Sequence, residues 1–269
     1  MLGMSTDLDN EDILSDALEF LGGKPVIDDT IIGYGPLKLT LALKEGKANT
    51  LLADHLFSPA LFLAERIERN LLDFAGRTVI ELGAGSALPS LLLSTRPNPP
   101  ALVVVTDYPD ENILGNLKQN VEKNKEVVTD GCTVKCEGYE WGTDTSKLLS
   151  IVRSTNPSSS GYEIMILSDL LHFFGSHDVL VSSIEKLLTK REDARVYVGA
   201  GNYTHAHVCE NFLMKAKSIG LQFDEIIDPE EEKKWLGTLP VSTLDPEALR
   251  LRKNNCRYWI GRWSVERLS

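Results

Sequence analysis

The sequence predicts an α/β protein with a doubly wound, seven-stranded and mostly parallel sheet. Short apolar runs that are typical of buried strands alternate with helical segments along most of the chain. Near the end, an acidic, helix-like insert at residues 229–234 and a loop through Pro240 and Pro246 join the last two strands. The predicted strands cover residues 79–81, 102–106, 132–139, 162–167, 195–198, 221–227 and 256–263, and residues 37–43 form a strand of an N-terminal hairpin.

A glycine-spaced turn joins the first of these strands to the helix that follows it. Gly83 and Gly85, with Ala84 between them, lack the Cβ atoms that would keep a ligand away from the backbone. The next helix offers free N–H groups at its N-terminus. Glu81 ends the first strand beside this turn, where it would repel a phosphate and attract a cation. Asp107 ends the second strand and can accept both ribose hydroxyls, so the pattern favours a cationic, phosphate-free nucleoside.

The segments ELGAGSALPS, from residue 81, and VVVTDYPD, from residue 103, carry a family resemblance. They resemble the eukaryotic seven-β-strand S-adenosylmethionine-dependent protein-lysine methyltransferase-like family, whose fungal members are often labelled nicotinamide N-methyltransferase-like. The resemblance implies a Rossmann-like class I methyltransferase fold with a short N-terminal extension, and S-adenosyl-L-methionine as the cofactor. Tyr108, next to the second acid, and Ser168, at the end of the fourth strand, complete the predicted cofactor site together with Glu81 and the loop.

Two aromatic residues of the predicted cofactor site follow from the same resemblance. In the family, an aromatic residue, usually tryptophan, opens the helix near residue 58 and borders the cofactor. Phe57 stands there and can only pack, and it can equally be an ordinary core residue. The family also carries a Trp-Gly step after the third strand, with the preceding residue near adenine. Trp141 is the tryptophan of this step, and it can stack on the cofactor or seal the pocket.

Polar side chains follow the fourth and fifth predicted strands, at the edge where ligands bind in open parallel sheets. Asp169 begins the family's D-x-x-Y-type motif of the catalytic face, and His172 stands where tyrosine is commoner. Asp169 can orient an amine or cap the next helix, and His172 can accept a proton or line the rim. Tyr203, which follows Asn202 in the next loop, can form one wall of an aromatic slot. These three residues are the predicted catalytic group.

The composition limits the possible partners. The length of 269 residues suits one large domain, and we expect an acidic N-terminal extension at residues 1–30 and the methyltransferase domain at 31–269. A net charge of −11 disfavours nucleic-acid binding and fits a basic protein or a neutral amine. The four cysteines lack C-x-x-C spacing and a histidine pair, which predicts reduced thiols and no metal site. No apolar run is long enough to span a bilayer.

The residues and the resemblance together predict a cytoplasmic, monomeric S-adenosylmethionine-dependent N-methyltransferase that binds neither nucleic acid nor membranes. The resemblance implies a protein amine as the acceptor, either a lysine or an N-terminal amine, and includes translation elongation factors among the candidates. A small-molecule amine, as in nicotinamide N-methylation, is the alternative. A non-catalytic cofactor-binding scaffold is disfavoured because both acids and the glycines of the loop are intact.

Overall fold

The computed structural model describes residues 31–242 and 244–268. A short antiparallel hairpin, β1 (Ile32–Tyr34) and β2 (Leu37–Leu39), precedes the main sheet and is shorter than the predicted strand at 37–43. The strands of the main sheet are β3 (Thr78–Leu82), β4 (Leu102–Asp107), β5 (Thr133–Gly138), β6 (Ile164–Ser168), β7 (Arg195–Gly201), β8 (Leu221–Glu225) and β9 (Cys256–Trp263).

The seven strands lie in the order β5-β4-β3-β6-β7-β9-β8. The pairings among β3, β4, β5, β6 and β7 are parallel, whereas β9 runs antiparallel to both of its neighbours, β7 and β8. The sheet therefore confirms the predicted doubly wound α/β class with seven mostly parallel strands, and the reversed strand is the last one. Strands β3 and β4 each have a strand on both sides and are buried along their whole length, which explains why they are mostly apolar.

Helices cover both faces of this sheet. They are α1 (Gly46–Thr50), α2 (Ser58–Glu68), α3 (Leu88–Ser94), α4 (Glu111–Lys123), α5 (Ser146–Thr155), α6 (His177–Leu187), α7 (Ala206–Ser218), α8 (Pro246–Asn254) and α9 (Val265–Leu268). Single 3-10 turns occur at Lys125–Val127, Phe174–Ser176 and Glu230–Glu232, the last of which forms the acidic insert. The expected loop through Pro246 is wrong, because helix α8 begins at this proline and the side chain of Asp245 caps it by accepting from the N–H of Ala248.

Alternate side chains of the strands enter two separate apolar layers. Along β4, Val103 and Val105 pack in one layer and Val104 packs in the other. The hairpin, α2, α3, α4 and α8 contribute to the first layer, and α5, α6 and α7 contribute to the second. Burial on both faces fixes the register of the strands, so the residues that follow them are placed together at one edge.

Asparagine side chains on α4 hold the segment that follows the hairpin. The amide of Asn120 accepts from the backbone N–H of Thr40 and donates to the carbonyl of Thr40, both at 2.8 Å. Asn124, one turn later, makes the same two bonds with Lys38 at 2.8 and 2.9 Å. Asn120 also donates to the carbonyl of Ser86 at 3.3 Å, which connects the N-terminal segment to the loop after β3.

Helix α2 is buried on every side because the acidic insert and the loop after it cover its outer face. Glu68 accepts from the backbone N–H groups of Thr238 and Leu239 at 2.8 and 3.0 Å, and also from the hydroxyl of Tyr34. Glu65 accepts from the buried ammonium of Lys253 at 2.8 Å. These contacts fix α2, whose N-terminus lies at the cavity described below.

The sequence also predicts a division into two segments, reduced thiols, no metal site and no membrane-spanning segment. Residues 1–30 lie outside the described residues, so the division into an extension and a domain at 31–269 stays a prediction. Within 31–242 and 244–268, all four cysteines are free thiols, and no group of three metal-ligating side chains is suited to a metal ion. The same part of the chain contains no helix that is long and apolar enough to cross a bilayer.

Candidate functional site

A cavity opens at the carboxyl ends of the central strands, with about 1050 Å³ of empty space including its mouth. Its lining comes from the segment between residues 51 and 57, before α2, and from residues at or just after the ends of β3, β4, β5 and β6. Small-molecule sites in open α/β sheets are found at this edge and have volumes of this order. The cavity is therefore the candidate site for the cofactor and the acceptor.

The loop after β3 forms the floor of the cavity and needs its glycines. Gly83 and Gly85 have φ angles of 58° and 53°, in the left-handed region. A Cβ at Gly83 would lie 2.7 Å from Leu170 Cδ2 and 3.1 Å from Trp141 Cζ2. At Gly85 a Cβ would meet no atom within 4 Å, so this residue borders open space. Ala84 also lines the cavity, and the whole loop presents backbone to a ligand.

Asp107 lies on the cavity wall with its carboxylate already oriented. It accepts hydrogen bonds from the backbone N–H groups of Gly85 and Tyr108, each at 2.7 Å. Burial raises the pKa of Asp107 to about 6, and these two N–H donors oppose the rise. Each oxygen keeps a lone pair, so the carboxylate can accept from two neighbouring hydroxyl groups. Tyr108 also lines the cavity.

Glu81 is close in sequence to the glycine loop but lies beneath it. Its side chain is fully buried and does not line the cavity. One oxygen accepts from the backbone N–H of Ser90 at 3.3 Å, and the other has no hydrogen-bond partner. Burial raises the pKa of Glu81 to about 8. The carboxyl therefore supports the loop from behind, and a direct part in cofactor binding stays a prediction.

Asp169 lies at the cavity edge and is tied to the loop after β7. Its carboxylate accepts from the Gly201 N–H at 3.1 Å and from the Tyr203 hydroxyl. Burial raises the pKa of Asp169, and the nearby His172 and the Tyr203 hydrogen bond oppose the rise. Its partners are the last residue of β7 and a residue of the loop after it, so the alternative role as a helix cap is not the one that the structure shows. Asp169 and His172 both line the cavity.

His172 presents a buried imidazole to the cavity. Its ring lies 4.0 Å from that of Phe173 and 6.4 Å from that of Phe57, measured between centroids. Neither ring nitrogen makes a hydrogen bond of good geometry. Burial lowers the pKa of His172, while the carboxylate and the carbonyl of Asp169 oppose the fall. A neutral imidazole in this place can accept a hydrogen bond from a bound ligand.

Tyr203 lies behind Asp169 and does not line the cavity. Its ring centroid is 6.3 Å from that of Phe57, and its hydroxyl is engaged by Asp169. Burial and the neighbouring Asp169 raise the pKa of Tyr203 well above its usual value. The phenol therefore stays protonated and acts on the cavity through Asp169. Asn202, its neighbour in the sequence, does not line the cavity either.

The remaining predicted residues do meet at the cavity. Phe57, Trp141 and Ser168 all contribute to the lining, from three different parts of the chain. Trp141 packs edge-on against Phe173 with 5.7 Å between ring centroids, and this contact closes one side. The structure thus brings together the predicted cofactor residues except Glu81, whereas their contacts with a cofactor stay predictions.

Asp54 and His55 were not predicted to belong to the site. His55 lines the cavity and stacks on Phe57, with ring centroids 5.5 Å apart and an angle of 26° between the planes. Its Nδ1 lies 2.8 Å from Oδ1 of Asp54. The signal that could have identified the pair is the Asp-His step two residues before Phe57, the aromatic residue that the resemblance already placed at the cofactor.

The chain is similar in sequence to known methyltransferases. A family model described as lysine methyltransferase matches residues 38–218. A Gibberella zeae protein named "Protein N-terminal and lysine N-methyltransferase EFM7" is 31% identical and covers 80% of each chain. A Schizosaccharomyces pombe protein of the same name is 30% identical over 82% of each chain. A methyltransferase structure from Pyrococcus furiosus has 11% identity and a TM-score of 0.48, covering 76% of this chain and 83% of that one. The chain belongs to the lysine methyltransferase family.

Proposed function

We propose that this protein transfers the methyl group of S-adenosyl-L-methionine to an amine of a protein substrate. Membership of the lysine methyltransferase family supports the reaction, and the names of the two fungal relatives support a lysine or an N-terminal amine as acceptor. The observation that carries the proposal is the Asp107 carboxylate, which two backbone N–H groups hold on the wall of the cavity beside the glycine loop.

The residues of the cavity fit the chemistry of S-adenosyl-L-methionine. Asp107 would accept the two ribose hydroxyls, and its negative charge disfavours a phosphate in that place. The left-handed loop lets a ligand approach the backbone. When bound, the cofactor supplies an activated methyl group on a sulfonium. The residues that would hold it are Phe57, Gly83, Ala84, Gly85, Asp107, Tyr108, Trp141 and Ser168, with Glu81 beneath the loop.

The edge formed by Asp169, His172 and Tyr203 would receive the acceptor amine. Methyl transfer is an in-line displacement, so these residues must align an amine lone pair and exclude water. The carboxylate of Asp169 favours a basic group at the cavity edge, and Tyr203 holds that carboxylate in place. His172 offers ring nitrogens that have no hydrogen-bond partner among the residues that the structure describes.

The surface of the protein favours a macromolecular acceptor. The net charge of −11 attracts a basic partner. Apolar side chains are also exposed beside the cavity: Val179 lines it and is 42% exposed, and Phe174, which follows the lining residue Phe173, is 54% exposed. We further propose that the enzyme acts as a monomer, and that its reduced thiols reflect a cytoplasmic location. A translation elongation factor as the substrate stays a prediction.

Calorimetric titration tests the cofactor part of the proposal. We expect the protein to bind S-adenosyl-L-methionine and its demethylated product. Failure to bind either sulfur compound would overturn the proposal. Cofactor binding without methyl transfer to any lysate component would leave only a scaffold role.

A further inference from the structure

Asp54 and His55 form a hydrogen-bonded pair in the extended segment that precedes α2. The distance from His55 Nδ1 to Asp54 Oδ1 is 2.8 Å. An ionised carboxylate only accepts hydrogen bonds, so the proton of the neutral imidazole lies on Nδ1 and Nε2 keeps a lone pair. The Asp54 side chain is 5% exposed and the His55 side chain 27% exposed. The carboxylate is thus a buried orienting group, while the imidazole is in contact with both the cavity and water.

The pair belongs to the same aromatic wall as the predicted acceptor edge. In the described part of the chain, the rings of His55, Tyr203 and His172 lie near the ring of Phe57, with centroid distances of 5.5, 6.3 and 6.4 Å. Tyr203 in turn holds Asp169 at the edge of the cavity. His55 stacks on the face of Phe57, and an aromatic face attracts a cation. An imidazolium at His55 would therefore be stabilised by both Asp54 and Phe57.

Other groups of the edge are less suited to receive a proton. The carboxylate of Asp169 already accepts from Gly201 and Tyr203. Among the described residues, the ring nitrogens of His172 have no hydrogen-bond partner, and burial lowers the pKa of this residue, so its protonated form is disfavoured. His55 differs from both, since it combines an orienting carboxylate with partial exposure.

We propose that His55, oriented by Asp54, takes the proton from the ammonium group of the acceptor and returns it to water. This inference rests on the proposed amine methylation. The acceptor R–NH₃⁺ gives one proton to Nε2 of His55 and becomes R–NH₂ with a free lone pair. The N–C bond then forms as the C–S bond of the donor breaks, and the electron pair of that bond stays on sulfur. The imidazolium passes its proton to water at the exposed side of the ring.

The pair is tested by replacing His55 with glutamine and Asp54 with asparagine. The probe is S-adenosyl-L-methionine with a labelled methyl group, and the acceptor is the protein fraction of a lysate. We expect His55→Gln to lower the initial rate on the order of 100-fold near neutral pH. We expect Asp54→Asn to cause a smaller loss in the same direction. Calorimetry should give both variants the cofactor affinity of the parent protein.

A pH series separates proton transfer from a merely structural role. The deficit of His55→Gln should shrink as the pH rises, because the acceptor then loses its proton to water. Free α-amines do so near a pKa of about 8 and lysines near about 10.4. The titratable partner of His55 on its own segment is Asp54. The titratable side chains that line the same cavity from other elements are Asp107, Tyr108, Tyr139, Glu140, Asp169 and His172. The pH series is repeated with His172→Gln to show whether this second histidine causes the pH dependence.

A matched control is His207→Gln, an exposed histidine on α7 outside the cavity, which should behave like the parent protein. Two outcomes would overturn the role of the pair and leave the proposed function intact. One is an active parent protein with a fully active His55→Gln variant, and the other is a loss of rate in this variant that is the same at every pH. If the parent protein itself methylates no component of the lysate, the proposed function fails, and the role of the pair fails with it.

Discussion

The hydroxyl of Tyr203 donates a hydrogen bond to the carboxylate of Asp169, and this contact joins the loop after β7 to the loop after β6. Gly201 allows it, because a Cβ there would lie only 2.2 Å from the Tyr203 ring. Asp169 itself has a φ of 63°, which is uncommon for a residue other than glycine. The pair therefore holds a strained backbone at the cavity edge, where the acceptor would bind.

We predict that Asp169→Asn lowers turnover while cofactor affinity stays within a few fold. The end of β6 faces the acceptor, whereas the ribose site at Asp107 is at the end of β4. Tyr203→Phe should lower turnover in the same direction but less, since it removes one hydrogen bond and keeps the ring. Steady-state kinetics and calorimetry measure the two effects. Lost cofactor binding with intact turnover per bound cofactor would make Asp169 a cofactor or structural residue.

Asp107→Ala should weaken cofactor binding by roughly 2 kcal/mol or more, through the loss of charge-assisted hydrogen bonds. The pKa of Asp107 of about 6 adds a pH dependence. Affinity of the parent protein should fall as the pH drops through about 6, because a protonated carboxyl accepts hydrogen bonds less well. The affinity of the alanine variant should lack this transition. Calorimetry at several pH values checks both expectations, and an unchanged affinity for Asp107→Ala would remove this residue from the site.

Gly83→Val and Gly85→Val should each abolish cofactor binding. At Gly83 the added side chain would collide with Leu170, and at Gly85 it would enter the space that the ligand needs. Gly76→Val is a matched control, since Gly76 has a φ of 68° and open space around it but does not line the cavity. The control should lose stability and keep binding. A folded Gly85→Val protein with normal affinity would reduce the loop to a simple turn.

Glu81→Gln should make the free energy of unfolding less dependent on pH. The pKa of Glu81 is raised from 4.5 to about 8 by burial, so the folded chain binds more protons than the unfolded chain between these values. Stability therefore falls as the pH rises through this window, by at most about 1.4 kcal/mol per unit. Denaturant unfolding at about pH 5 and about pH 9 compares the proteins. A parent protein and a variant with equal pH dependence would show that Glu81 titrates normally.

Hydrophobic patterns predicted the sheet well because each central strand is buried on both faces. The strand bounds deviate in several places: the hairpin strand expected at 37–43 ends at Leu39, β7 runs three residues further than expected to Gly201, and β6, expected to begin at Tyr162, begins at Ile164. Tyr162 is apolar enough to resemble a strand residue, but its N–H bonds to the carbonyl of Leu187 at the end of α6. A contact between residues so far apart in the sequence leaves no local signal.

The site residues that the sequence could predict are those at the carboxyl ends of the parallel strands. Asp107 ends β4, Asp169 directly follows β6, and both line the cavity. The pattern of apolar residues does not show which way a side chain points at the end of a strand. The sequence therefore did not predict that Glu81 and Tyr203 lie outside the cavity lining. His55 was missed because an Asp-His step is common in sequences, and it gains meaning only from its stacking on Phe57.

The most direct test of the central claim is methyl labelling of a lysate that has been separated by size. Purified protein and S-adenosyl-L-methionine with a labelled methyl group are added to the protein fraction and, separately, to the small-molecule fraction. Asp107→Ala serves as the control for cofactor-dependent transfer. We predict label on a lysine or an N-terminal amine in the protein fraction, and much less with the control. Label only in the small-molecule fraction would contradict a protein acceptor.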